Sequence, residues 1–357
     1  MSLAAWLRLT LVPGIGGETQ RNLLSTFGLP ETIFTASRSA VCSVIGDRAA
    51  DRLLDTDCTA QIDAALRWTE QPGCHLLTLA DAQYPKGLLE IPDPPCLLYI
   101  RGQPDLFAKP GLAIVGSRNA TPAGCQTAEA FGRALADGGL SIISGMALGI
   151  DAAAHRGALD GNGVTIAVIG TGADRIYPAR NRELALDIAA RGIILSEFPL
   201  GTPALAANFP RRNRLISGLA RGVLVVEAAL QSGSLITARL AGDQGREVFA
   251  IPGSIHSPLS RGCHQLIKQG AKLVETATDI LEELGLSFTP ANHQASGEND
   301  DPLLAALTYD PISFDLLLSR SGLPADQLAA RLLELELAGE LAPLPGNRFQ
   351  RLQIRQD

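Results

Sequence analysis

Short, continuously apolar runs alternate with helical patterns through the middle of the chain. Because these runs lack a polar alternation, each is predicted to be a strand buried on both faces, as in a parallel sheet covered by helices. We therefore predict an α/β fold with an extended, doubly wound, Rossmann-like sheet over roughly residues 112–285. The predicted strands are 112–115, 140–143, 164–169, 192–195, 222–226, 247–251 and 272–274.

The N-terminal segment follows a helical pattern instead. Residues 1–75 contain helical patterns at 49–54 and 62–68, and a glycine hairpin at 11–16 precedes another helix. This arrangement indicates a helix-hairpin-helix or SAM-like domain, whose glycines let backbone N–H groups approach a phosphate. The same hairpin also fits a plain turn between packed helices, because it contains neither Lys nor Arg.

The remaining segments define the other domain boundaries. Residues 76–110 are a proline-containing connector with a short strand at 97–100, and we group them with the sheet as one domain, 76–285. Residues 286–302 are polar and predict a linker. From 303 to 357, three short helical patterns and a closing hairpin predict a winged helix.

The composition describes a folded protein without a membrane span. Hydrophobic residues make up 46% and charged residues 19%, and no apolar run reaches the roughly 18 residues that a span needs. The first residues lack the pattern of a signal peptide, so we expect a cytoplasmic protein. The six cysteines form no C-x-x-C pair, which indicates reduced thiols and no zinc site.

The charge is unevenly distributed. The net charge is −7, yet residues 199–226 contain no acidic residue and four arginines. Arginine binds phosphate oxygens and stacks on bases, so this stretch suits a phosphate-bearing partner despite the overall charge. A high genomic GC content would also favour Arg over Lys throughout the chain.

Small or cationic residues follow the predicted strands, and the carboxyl ends of parallel strands meet at one edge of a sheet. We therefore expect these residues to form one ligand-binding rim. Gly and Ser turns after strands are also common for steric reasons alone. Arg118 also fits an ion pair with a carboxylate, and Arg211 or Arg214 also fit ion pairs with Glu227 or Asp151. The rim candidates are Gly116, Ser117, Arg118, Asn119, Gly145, Arg180, Asn181, Arg211, Arg212, Asn213, Arg214, Gly233 and Ser234.

Signatures of catalysis and of nucleotide cofactors are absent from the sequence. It contains no G-x-x-x-x-G-K-[ST] loop, and neither the turn at Gly116 nor the one at Gly170 completes G-x-G-x-x-G. Asp151 and His155 lie one helical turn apart and are interpreted as satisfying each other inside the fold. We predict no cofactor, no metal and no catalytic residue.

Six motifs in the predicted sheet domain resemble the DNA-processing protein A family, also called Smf. They cover almost all of residues 112–275, and their order and spacing fit throughout. The flanking helical domain and winged helix resemble those of the longer family members. The motifs are AIVGSR from Ala113, SGMALGIDAAAH from Ser144, GTGADRIYPARN from Gly170, SEFPLGTPALAANFPRRNRLISGL from Ser196, GSLITARLAGDQGREVFAIPG from Gly233 and SRGCHQLIKQGA from Ser260.

The resemblance implies a single-stranded DNA-binding protein that is not an enzyme. The family protects incoming strands in natural transformation and loads the recombinase RecA onto them, and it forms homodimers through the Rossmann-like domain. By position, residues 116–118 would hold a phosphate, Arg180 and Asn181 would lie at the pocket wall, and residues 211–214 would add positive charge. We also expect Tyr177 and Phe209 to stack on bases, and binding to depend steeply on salt.

The winged helix departs from what DNA recognition requires. Its third helix carries Asp326, Glu334 and Glu336 against a single Arg331, whereas a helix that enters a DNA groove is basic. We predict a protein-contact or regulatory module, in which any DNA contact comes from the wing at 347–351.

Two other functions fit parts of the pattern. A Rossmann-type nucleotide phosphoribohydrolase would need a P-G-G-x-G-T turn. In the corresponding turn, after the predicted strand 222–226 and Glu227, the chain has Gln231-Ser232-Gly233-Ser234 instead. A winged-helix transcription regulator would need a basic recognition helix. Base release from a nucleoside monophosphate would support the first alternative, and a sequence-selective duplex footprint would support the second.

Overall fold

The computed structural model describes residues 2–161, 163–286, 303, 307 and 309–352. Nine strands form one large sheet, and their apolar side chains explain why the sheet is buried. The strands are β1 (Cys74–Thr78), β2 (Leu97–Gly102), β3 (Gly111–Val115), β4 (Ser141–Ser144), β5 (Val164–Val168), β6 (Ile193–Ser196), β7 (Gly222–Val225), β8 (Glu247–Ala250) and β9 (Lys272–Leu273).

The sheet has the order β1-β2-β6-β5-β4-β3-β7-β8-β9. Strands β3 to β9 run parallel, and β1 and β2 add an antiparallel edge next to β6. From β3 the chain moves outward through β4, β5 and β6, then returns to the other side of β3 with β7. This reversal places the topological switch point between β3 and β7, where doubly wound sheets bind ligands.

Helices cover both faces of the sheet. On one face, Leu215 and Ile216 pack in the same core as Leu266, and on the other Phe131 packs with Ile280. The predicted Rossmann-like architecture is therefore confirmed. The helices are α7 (Lys86–Leu89), α8 (Pro122–Asp137), α9 (Ile150–Asp160), α10 (Arg182–Arg191), α11 (Asn208–Leu219), α12 (Gly233–Asp243), α13 (Arg261–Lys268) and α14 (Ala277–Glu283), with 3-10 turns at Pro104–Ala108 and Ala179–Asn181.

All eight predicted strands are present, with ends shifted by up to two residues. Strand β1 was missed, and it begins within the segment predicted to be helical. It pairs with β2 over its full length, and Leu76 packs with Trp68 of the N-terminal helices. A long-range pairing of this kind leaves no local periodicity in the sequence, because the partner strand lies about 20 residues away.

Residues before β1 form a helical unit. Gly14, with φ of 81°, makes the turn of the predicted hairpin, and a Cβ atom at this position would overlap the Arg52 guanidinium. The folded chain thus brings a cation to a hairpin that has none in its own sequence. The helices are α1 (Leu3–Leu11), α2 (Gly17–Phe27), α3 (Pro30–Thr35), α4 (Arg38–Ile45), α5 (Asp47–Asp55) and α6 (Thr59–Thr69).

The C-terminal residues adopt the predicted winged helix. The second and third predicted helices and the hairpin are present, whereas the first helix and the 286–302 linker lie almost entirely outside the described residues. Leu317, Leu328 and Leu341 form a separate small core. The elements are β10 (Ile312–Ser313), α15 (Phe314–Ser321), α16 (Ala325–Leu337), β11 (Leu341–Leu344) and β12 (Arg348–Arg351).

A buried histidine lies between α9 and β5. Thr165 donates its hydroxyl proton to the Ile142 carbonyl at 2.7 Å, so its oxygen accepts from His155 Nδ1 at 2.6 Å. His155 Nε2 has no hydrogen-bond partner among the described residues. Burial, reinforced by the charges of Arg212 and Arg156, lowers the pKa of His155 to about 3. The predicted pairing of His155 with Asp151 is wrong.

This histidine is expected to make the protein sensitive to acid. Its pKa is about 3 in the fold, against about 6.5 in the unfolded chain, so the stabilisation present above pH 6.5 is lost as the pH falls. The loss approaches about 1.4 kcal/mol per pH unit between pH 6 and 4. His155→Gln should remove this contribution when the free energy of unfolding is measured by urea titration at each pH. His75→Gln, at an exposed position of β1, should keep the wild-type slope, and an unchanged slope in both variants would contradict the assignment.

Candidate nucleic-acid interface

A groove of about 680 Å³ opens at the switch point between β3 and β7. The loop after β3, the turn after β7 and the first turn of α11 form its walls. The sheet topology brings these segments together although they are about 110 residues apart in the chain. Eight of the rim candidates line the groove: Gly116, Ser117, Arg118, Asn119, Arg212, Asn213, Gly233 and Ser234.

The other five candidates lie outside the lining. Gly145 lies below the groove, and Arg180 is exposed beyond it. Asn181 is buried, and its side-chain amide donates to the carbonyls of Met146 at 2.9 Å and Ala147 at 3.3 Å. Because Met146 has a φ of 61°, Asn181 stabilises a strained turn rather than presenting its amide to a ligand. Arg211 and Arg214 are described below.

A cation and two aromatic rings stand together at the groove. The Arg118 guanidinium lies 5.5 Å from the centroid of the Phe209 ring, and the Phe209 and Tyr177 rings are 5.8 Å apart. Arg118 is exposed and makes no ion pair with a described residue, and Tyr177 is 51% exposed. This trio, Arg118–Phe209–Tyr177, combines a free positive charge with a surface on which a flat ring can stack.

The N-termini of the helices around the groove differ in whether they are free to bind an anion. At α8, the Glu227 carboxylate accepts from the Thr121 amide at 2.9 Å and from its hydroxyl at 2.7 Å, so a negative charge already occupies this helix start. Burial raises the pKa of Glu227, and the bonds from Thr121 oppose the rise. At α12, Ser232 caps the helix and Gly233 is exposed with open space around it. The start of α12 is therefore the better position for a phosphate.

Arg212 lines the floor of the groove with almost none of its side chain exposed. The side chain is buried, and Nη1 donates to the Val168 carbonyl at 2.5 Å. Burial lowers the pKa of Arg212 to about 10, and the nearby Asp151 favours the charged form. Burial also raises the pKa of Asp151, whose carboxylate accepts from the amides of Gly145 at 3.1 Å and Ala147 at 3.3 Å. Arg212 thus connects α11 to the loops after β4 and β5.

Arg214 is buried as well, in an internal ion pair. Its Nη2 lies 2.5 Å from Glu197 Oε2, and its Nε lies 2.8 Å from Asp93 Oδ2. Arg211 reaches the same Glu197 oxygen at 3.2 Å from the exposed side, with its own side chain 55% exposed. The hypothesis that carboxylates bind these arginines is confirmed, but the partner is Glu197 rather than Glu227 or Asp151.

The burial of Arg212 has a signal in the sequence. Arg212, Leu215, Ile216 and Leu219 follow the i, i+3, i+4, i+7 spacing of one helix face, so the arginine shares the face that packs on the sheet. The partner Glu197 has no such signal, because it follows β6 and meets α11 only in the folded chain.

Other ligand chemistry has no counterpart among the residues described. Within them, no three His, Cys, Asp or Glu side chains come together as a metal site, and all six cysteines are free. None of the helices described is long and apolar enough to cross a membrane.

The switch-point groove, the covered sheet and the winged helix define a class of α/β protein that combines a doubly wound sheet with a winged-helix unit. A family model described as DNA recombination-mediator protein A matches residues 75–285, and a second, the DprA winged helix domain, matches 276–347. Protein Smf of Escherichia coli is 42% identical, and the alignment covers 96% of this chain and 94% of that one. The chain belongs to the DNA recombination-mediator protein A family.

Other relatives and solved structures agree with this assignment. The DNA processing protein DprA of Streptococcus pneumoniae is 48% identical over 62% of this chain and 79% of that one. An X-ray structure of that species' protein superposes with a TM-score of 0.71 at 38% identity, covering 81% of this chain and all of that one. The Helicobacter pylori protein, described for its single-stranded DNA binding mode, has a TM-score of 0.54 at 33% identity, covering 59% and 95% of the two chains.

The groove floor depends on the absence of a side chain at residue 145. A Cβ atom on Gly145 would overlap the Arg212 guanidinium, whereas one on Gly233 would meet nothing within 4 Å. Gly145→Ala is therefore expected to lower the free energy of unfolding by about 1–3 kcal/mol, as overpacking does in other interiors. Gly233→Ala should stay within about 0.5 kcal/mol of wild type. Equal stabilities of the two variants in urea titrations would contradict this packing.

Proposed function

We propose that the protein binds single-stranded DNA without sequence preference and acts as a recombination mediator, not as an enzyme. The single observation that supports this most directly is the Arg118–Phe209–Tyr177 trio beside the start of α12. A strand offers both a phosphate and an unstacked base to such a site, whereas a duplex keeps its bases stacked. The single-stranded DNA binding described for the Helicobacter pylori relative supports the same function.

In the proposed binding mode, different residues of the groove bind the phosphates and the bases. Arg118 and the Gly233 amide hold phosphates, and the exposed Tyr177 ring stacks on a base. Arg211 adds positive charge from outside the lining, with half of its side chain exposed. Nothing in this mode reads the edge of a base, so the affinity does not depend on sequence.

The electrostatic contribution is smaller than the sequence alone indicates. Arg212 and Arg214 are buried and bonded inside the fold. Among the candidate arginines, Arg118 in the groove lining and Arg180 and Arg211 outside it therefore reach solvent. For single strands, the logarithm of affinity falls by about 0.7 per logarithm of salt for each phosphate contact. We therefore expect a slope between about −1 and −3 per protomer, with stacking as the salt-independent part.

Arg118→Ala is expected to weaken single-stranded DNA binding by about tenfold and to reduce the salt slope by about 0.7. The variant removes a phosphate contact and also the cation that packs on Phe209. The measurement is a gel shift or anisotropy titration at several salt concentrations, with single-stranded and duplex DNA of equal length. Arg67→Ala is the matched control, because it removes the same charge from an exposed position on α6.

Two outcomes would contradict the phosphate clamp. One is an affinity that does not change with salt, and the other is equal affinity of the wild-type protein for the two DNA forms. Loss of binding in both Arg118→Ala and Arg67→Ala would assign the effect to net charge and not to the groove.

We infer further that the protein protects incoming strands in the cytoplasm during natural transformation, loads RecA onto them and works as a homodimer. Family membership supports all three. A 37.5 kDa mass in sedimentation equilibrium would contradict the dimer. Unchanged RecA nucleation on protein-coated single strands would contradict loading.

A further inference from the structure

One buried glutamine joins the winged helix to the sheet domain. Gln350 in β12 is 3% exposed. Its Nε2 donates to the Tyr309 carbonyl at 2.6 Å within the winged helix, and its Oε1 accepts from the Ala123 amide of α8 at 3.4 Å. A buried amide with both ends bonded fixes a position more strictly than apolar contact does, because leaving either end unpaired is costly.

The point at which Gln350 bonds to α8 follows from which backbone amides at the start of the helix have another hydrogen-bond partner. Pro122 has no N–H, the Thr121 amide is bonded to Glu227, and the Gly124 amide is bonded to the Thr121 hydroxyl. The Ala123 amide is therefore the remaining donor of this first turn, and Gln350 accepts from it. Asn119, four residues before Ala123, already lines the DNA groove. The winged helix is thus docked directly beside that groove.

The docked winged helix has a net negative charge, which does not suit a second DNA-binding surface. Between 309 and 352 the sequence has six acidic residues and four arginines. On α16, Asp326 and Glu336 are exposed, and Arg331 is bonded to Glu334. A surface with this charge repels phosphates that approach it, and repulsion of the wrong ligand is a common source of specificity.

We propose that Gln350 determines the DNA form that the protein accepts. It holds the acidic winged helix beside the groove, so that a single strand follows the groove while the second strand of a duplex meets negative charge. This inference rests on the proposed single-stranded DNA binding. It assigns to the winged helix the exclusion of duplex DNA, rather than contact with DNA.

The test compares the full-length protein with Gln350→Ala and a matched control, Gln327→Ala, at an exposed position of α16. In Gln350→Ala, hydrogen exchange of the 123–125 amides should become faster. Duplex affinity should rise at least fivefold, and single-strand affinity should change less than twofold. Gln327→Ala should match the wild-type protein in all three measurements.

A second variant separates charge from docking. Asp326→Lys with Glu336→Lys reverses two exposed charges without touching the Gln350 bonds, so duplex affinity should rise while exchange at 123–125 stays at the wild-type rate. A ratio of duplex to single-strand affinity that is unchanged in both variants would overturn the inference and leave the proposed function intact. Absence of single-strand binding by the wild-type protein would instead overturn the proposed function.

Discussion

Buried arginines on α11 hold the groove together. Arg212 and Arg214 point into the fold, where Arg212 bonds to the end of β5 and Arg214 to the carboxylate that follows β6. A buried charge is tolerated only with such partners, and removing one partner of a buried pair typically costs about 3–5 kcal/mol. The position of α11 over the carboxyl edge of the sheet is therefore strictly determined. Its first turn places Phe209 next to Arg118, and the ligand-facing surface follows from that placement.

The same constraint decides how much positive charge the groove can offer in a protein with a net charge of −7. Most of the positive charge near the switch point maintains the structure, and only a small part of it faces the ligand. The loop after β3 keeps Arg118 exposed, and α12 begins with open space around Gly233. Two acidic elements border the groove. The Glu227 carboxylate accepts a hydrogen bond at the start of α8, and the winged helix docks on the same turn through Gln350.

The sheet was predictable because burial on both faces leaves a local signal. Runs such as 222–226 are apolar at every position, and the strands there have nearly the predicted ends. The winged helix was predictable for a similar reason, since helical periodicity and the turn at 345–347 are local. Strand β1 was not, because it is stabilised by its pairing with β2 and by packing on the N-terminal helices.

The sequence by itself determined which loops form the site. Motif order and the carboxyl-edge rule placed residues 116–119 and 231–234 at one rim, and both line the groove. Only the tertiary structure decided which side chains remain available there. Arg211, Arg212 and Arg214 look alike in sequence, yet the first is half-exposed and the others are buried. The reason is physical: an arginine is free or engaged according to the carboxylates and carbonyls that surround it. Glu197, Asp151 and the Val168 carbonyl reach α11 only through contacts between distant parts of the chain.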